Sequence, residues 1–102
     1  MTILWTDPSL DDLRAIRDYI SRDSETYAAN FIETILSAVE QLSEFLCMGR
    51  IVPEASTADV RELLFGSYRI IYRVQQDAVL ILGVIHGYRD LSGMPVRPWE
   101  IR

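Results

Sequence analysis

The sequence predicts a two-layer α+β domain, and three observations carry that reading. Two stretches in the first half place apolar residues at helical spacing with only a few residues between them. Three strand-like segments in the second half are separated by tight turns. A short apolar run opens the chain. With 102 residues there is enough chain for one core and too little for two, so a single domain over 1–102 is expected.

The elements follow in order. Ile3, Leu4 and Trp5 suggest a first strand over Thr2–Thr6 rather than a leader peptide, since no basic segment precedes them. Asp7-Pro8 suits a helix start, with Asp7 as the cap and Pro8 at the first helical position. Leu10, Leu13, Ile16 and Ile20 then keep helical period, and the helix is expected to end near Arg22-Asp23. Ser24 reads as the cap of a second helix, whose stripe runs Ala28, Phe31, Ile32, Ile35, Val39, Leu42 and Phe45 toward a terminator at Gly49. So short a join predicts an antiparallel helix hairpin. Gly49–Asp59 reads as a loop. Val60–Phe65, Tyr68–Val74 and Ala78–His86 then read as an antiparallel meander turning at Gly66-Ser67 and Gln76-Asp77. The nearly continuous apolar run of Ala78–His86 suggests a central, doubly covered strand. The tail from Ser92, with Gly93, Pro95 and Pro98, reads as irregular. Helices are expected on one sheet face, with the other partly open. The expected core comprises Trp5, Leu63, Ile70, Tyr72 and Ile81 with Leu13, Ile16, Phe31, Ile35 and Leu42. Some stripe or edge residues should remain for a partner.

Composition narrows the function classes. The residues are 49% hydrophobic and 25% charged, the balance of a folded protein rather than a disordered one. No apolar run approaches the roughly 20 residues of a membrane span. One cysteine, Cys47, rules out an internal disulfide and fits a cytoplasmic address; it is expected to pack as a small hydrophobe. One histidine and one cysteine do not make a standard zinc site, and no glycine-rich phosphate loop is present, so no metal or cofactor is expected. The formal net charge is −5, and every cation is an arginine. Residues 1–49 hold three arginines against nine acids, whereas 50–102 hold seven against six. A basic site, if one exists, therefore belongs to the second half.

Strand alternation puts Tyr68, Ile70, Tyr72 and Val74 on one face and Arg69, Ile71 and Arg73 on the other. Unpaired arginines are not buried, so the arginine face is expected to be the open one, where the guanidinium forks could hold phosphate oxygens. The alternative is ion pairing of these arginines with Glu62, Asp77 or Asp90. His86 closes the last strand and is either structural or a general acid–base group.

The ordered set Arg61-Glu62-Leu63, Tyr68-Arg69-Ile70-Ile71-Tyr72-Arg73-Val74 and His86-Gly87-Tyr88-Arg89-Asp90-Leu91 resembles the RelE/ParE toxin superfamily, also known for plasmid stabilisation. The opening Trp5 strand, the helix hairpin and Gly49-Arg50-Ile51-Val52-Pro53-Glu54 are similar to it too. The histidine–glycine ending leans to the ParE-like branch. The resemblance implies a toxin neutralised by a cognate antitoxin, and DNA gyrase as the cellular target. The runner-up it implies is ribosome-dependent cleavage of messenger RNA, in which Arg69 and Arg89 would stabilise charge and His86 or Tyr88 would move the proton. Whichever the target, Arg61, Arg73 and Tyr88 are expected to contribute a binding surface. The chain departs from the RNA-cleaving branch in having no lysine and no tyrosine soon after Arg89, where Met94-Pro95-Val96 stands. A third implied class is an inactive relic that only binds its antitoxin.

Overall fold

A threonine, not the aspartate after it, joins the first strand to the first helix. In the computed structural model, which describes residues 1–55, 57–87, 89, 91 and 93–100, β1 spans Thr2–Trp5 and α1 spans Asp7–Ser21. The Thr6 hydroxyl accepts from the Ser9 N–H at 3.2 Å, so Thr6 is the cap, while Asp7 and Pro8 lie inside the first turn. The same hydroxyl donates to the Ile81 carbonyl at 2.9 Å, tying the helix start to the last strand. Thr6 wins the position because its extended backbone still belongs to the sheet.

Ser24 caps α2 (Glu25–Glu40) as its position predicts, accepting from the Tyr27 N–H at 3.1 Å. The helix stops well before Gly49. A 3-10 turn at Gln41–Ser43 follows it. Its tighter winding buries Leu42 and turns Phe45 off the stripe, leaving that residue 59% exposed. Gly49 serves a different purpose. A Cβ there would lie 2.4 Å from the Glu62 carbonyl oxygen and 2.7 Å from the Tyr72 hydroxyl, so only glycine allows the close approach.

The meander is present as β3 (Val60–Phe65), β4 (Tyr68–Val74) and β5 (Ala78–His86). Gly66 takes φ +56° in the hairpin turn between the first two. The 49–59 segment, expected as a loop, contributes a two-residue strand, β2 (Arg50–Ile51), paired antiparallel with β3. The sheet therefore has five strands in the order β1-β5-β4-β3-β2, with β1 parallel to β5 and the other neighbours antiparallel. Lying between β1 and β4 with apolar cores against both faces, β5 has the central, doubly covered position its apolar run suggests. A bulge interrupts it: Ile71 pairs with Gly83 but Tyr72 with Ile81, leaving Leu82 as the extra residue. Before the bulge, Val79 and Ile81 join the helix-side core; after it Val84 does, while Leu82 and Ile85 enter the opposite one.

The helix-side core gathers Leu13, Ile16, Ile35, Val39, Leu42, Ile70, Tyr72, Val79, Ile81 and Val84. Trp5, Phe31 and Leu63 pack on its margin, only partly buried. The other sheet face is not open, contrary to expectation. Val52, Val60, Ile71, Leu82, Ile85 and Leu91 form a second core there, with Ala55, Met94 and Trp99 packed against it. The segment before β3 and the tail after β5 thus cover this face, because Ile71, Leu82 and Ile85 would otherwise leave apolar area in water. Cys47, expected to be packed, is exposed. No described helix is long and apolar enough to cross a membrane.

The buried Tyr72 hydroxyl accepts from the Gly49 N–H and donates to the Leu46 carbonyl, both at 2.9 Å, pinning the α2–β2 connection to the sheet. Tyr72→Phe should orphan both partners and cost about 1–3 kcal/mol in the denaturation midpoint. An unchanged midpoint would show that this connection does not depend on the pin.

Candidate functional site

Strand alternation in β3 and β4 brings Glu62 and Arg69 to the same sheet face, the one opposite the helices. Both are buried, with only 1% of Glu62 and 7% of Arg69 exposed. A guanidinium so placed is tolerable only with its charge and its donors met. The Arg69 Nε donates to Glu62 Oε1, and its two terminal nitrogens donate to the two Glu54 carboxylate oxygens at 3.1 and 3.2 Å. Glu62 Oε2 in turn accepts from the Arg50 Nε at 2.8 Å. The result is an alternating chain, Arg50–Glu62–Arg69–Glu54, with no net charge. It uses β2, β3, β4 and the short turn at Pro53–Ala55. Burial works against the Arg69 charge, but the hydrogen bonds to Glu54 and Glu62 outweigh it, and Arg69 holds its proton more tightly than usual. Arg69 likewise holds the Glu54 carboxyl below the ordinary carboxylate range.

The other arginines expected at a site are dispersed. Arg61 donates to the Gly49 carbonyl at 2.9 Å. Arg73 donates to the Trp99 carbonyl at 2.9 Å and lies 3.4 Å from Asp59, holding the tail against the sheet rather than meeting Asp77. Asp59 is held below its usual range first by the Thr57 hydroxyl, with a smaller contribution from Arg73. His86 pairs across the sheet with Tyr68 and sets its ring edge-on to the tyrosine, centroids 5.5 Å apart. Tyr68 belongs to the helix-side face, where it continues an aromatic row with Phe31 and Phe65. His86 and Arg69 therefore project from opposite faces of the sheet. Arg89 lies beyond β5, exposed. Of the three residues suggested for RNA cleavage, Arg69 and His86 are therefore not gathered into one site, while Arg89 follows His86 in a turn, its N–H donating to the His86 carbonyl at 3.0 Å. Tyr88, and Asp90 as a pairing partner, lie outside the described residues.

Asp12, which its place in the first turns suggests only as a helix-dipole acid, is half-buried against β5. Its Oδ2 accepts from the Val84 N–H at 3.0 Å. The strand β1 stops pairing at Ile81, and Asp12 fills the gap in the ladder left beyond it. Burial raises its pKa, opposed by the Val84 N–H and by Arg89. Glu54 had no signal in the sequence, lying between Pro53 and Ala55 in a stretch without period. Among the described residues, no group of three His, Cys, Asp or Glu lies together as metal ligands do.

A strand, a helix hairpin and a meander, with the helices packed on one face of the sheet, make the α+β fold shared by toxins of the RelE/ParE type. The chain belongs to the ParE toxin family of type II toxin–antitoxin systems (parDE), whose model matches residues 3–91. It is 35% identical over 88 residues to a Caulobacter vibrioides protein named toxin RelE2, covering 85% of this chain and 96% of that one. It is 37% identical over 90 residues to the putative toxin Y4kP of Sinorhizobium fredii, covering 86% and 90%. Among solved structures, it resembles a chain of the chromosomal ParDE toxin–antitoxin system from P. aeruginosa, with a TM-score of 0.71, 25% identity and coverage of 84% and 95%. The RelBE2 toxin–antitoxin complex from Mycobacterium tuberculosis shares the fold, with a TM-score of 0.59 at 21% identity over 83% and 95% of the chains.

The Glu54 link gives a pH dependence with a definite sign. A carboxyl held below its free value of 4.5 adds stability above that pH and loses it as the pH falls through the depressed value. Glu54→Gln should therefore lower stability at pH 7 and flatten the acid side of the stability profile below pH 4.5. Parallel profiles for the two proteins would mean that the Arg69–Glu54 contact contributes nothing.

Proposed function

We propose that this chain is a ParE-like toxin that acts in the cytoplasm by obstructing DNA gyrase through surface binding, and that a cognate antitoxin keeps it silent. The observation that carries the reading is the state of Arg69. A strand arginine that stabilises a phosphorane-like transition state needs free donors aimed at the developing charge. Here three of its five N–H donors go to Glu62 and Glu54, and only 7% of the residue is exposed, so little of the guanidinium faces an incoming phosphate. The family match to ParE toxins supports the same reading. So do the partners named in the related solved structures, which are toxin–antitoxin assemblies.

Ribosome-dependent RNA cleavage is the second reading, favoured by the relative named toxin RelE2 and by the exposed Arg89. In that case His86 would be the proton-transfer group, and its loss would cost about 10²–10⁴-fold in rate. The two readings separate on His86→Ala. Under gyrase inhibition, induced expression of wild type and His86→Ala should arrest growth alike, and the purified protein should block supercoiling by gyrase while transcripts stay intact. Transcripts cut within ribosome-bound codons, together with arrest lost in His86→Ala, would overturn the gyrase reading. A folded wild type that arrests nothing and leaves supercoiling untouched would instead mark a relic that only binds its antitoxin.

A further inference from the structure

We propose that the cavity between the start of α1, the end of β5 and the tail is an anchor site for an extended segment of the antitoxin. That segment would insert one bulky apolar side chain and set a neighbouring carboxylate on Arg89. The inference rests on the antitoxin reading above and names the chemistry by which the partner is held. The cavity measures about 200 Å³ and is walled by Leu82, Ile85, Met94 and Val96, with Asp12 and Arg89 as its charged groups. Sites that enclose a free small molecule run to roughly 300–1,000 Å³. This one has room for a single large side chain, the size of an anchor at a protein interface.

The neighbouring backbone decides how the partner enters. β1 pairs with β5 only as far as Ile81, and Val84 would be the next residue to offer an outward N–H. Asp12 already accepts that N–H, so a partner strand finds no free donor there and docking proceeds through side chains. The charges then fix the order along the segment. Asp12 on the cavity wall rejects a carboxylate from the depth and admits an apolar group. Arg89 is exposed at the rim, and among the described residues no carboxylate lies within ion-pairing distance of it, so an acidic side chain of the partner can reach its guanidinium. The chain as a whole is acidic, at −5. A cation exposed at the rim of the cavity therefore gives an acidic segment its register.

The test uses the product of the neighbouring reading frame, co-expressed with this chain, purified and titrated by calorimetry. Val96 is 57% exposed and Arg89 is exposed, so Val96→Trp and Arg89→Glu should fold, which the denaturation midpoint checks. Val96→Trp should fill the cavity and weaken binding by about 30-fold or more, as loss of an interface anchor does. Arg89→Glu should weaken it about tenfold or more, and exchange of one partner acid for arginine should restore it. Wild-type affinity in both folded variants would overturn the anchor while leaving the antitoxin reading intact. No binding by wild type would remove both.

Discussion

A buried guanidinium has to be neutralised where it stands, and in this protein that requirement organises one whole face of the sheet. Arg69 is placed inward by the alternation of β4, and β3 supplies Glu62 on the same face. Glu62 alone leaves the two terminal nitrogens of Arg69 without acceptors. Glu54 meets them in a bidentate pair, which draws the 53–55 turn over the sheet. Arg50 then balances Glu62 from β2. Removing one partner of a buried pair costs about 3–5 kcal/mol because the survivor keeps its desolvation penalty. The segment before β3 is thus held by charge at one end and by the burial of Val52 at the other.

The same face gains its remaining cover from the tail. Arg73 fastens the Trp99 carbonyl, and Leu91, Met94 and Trp99 pack on Ile71, Leu82 and Ile85. Closing this face has a functional consequence. Arginines that look like a phosphate-binding row in the sequence are committed to internal partners. Of the cations considered for a site, Arg89 is the one left with an exposed guanidinium. The commitment of the others is what supports the proposal of action by surface binding rather than by chemistry on a phosphate.

Much of the fold could be read from the chain because periodicity reports which face is buried. The helix stripes, the Ser24 cap, the Gly66 turn and the helix-facing set Tyr68, Ile70, Tyr72 and Val74 all follow from spacing. What escaped was set by tertiary contacts. Two residues, Arg50 and Ile51, are too few to show a strand pattern, and they pair only because β3 is beside them. The α2 stripe continues past Glu40 in sequence, while the backbone tightens to bury Leu42 and releases Phe45. The candidate site was half legible. Glu62 was among the partners considered for the strand arginines, but two arginines on one face suggested an open surface. The compensating carboxylate came from Glu54, fifteen residues away from Arg69 and in a segment without period. Asp12 was hidden because its partner is a backbone N–H exposed by the end of another strand, 72 residues away.

The most direct test of this account is a double-mutant cycle on Glu62 and Arg69, read by chemical denaturation of wild type, Glu62→Leu, Arg69→Met and the double variant. If the pair is a structural unit, each single substitution should lose about 3–5 kcal/mol, and the double should lose less than either single, since two matched apolar groups leave no buried charge between them. Small, additive losses would contradict it. They would mean that Arg69 is not committed to the network and is available for chemistry on a substrate.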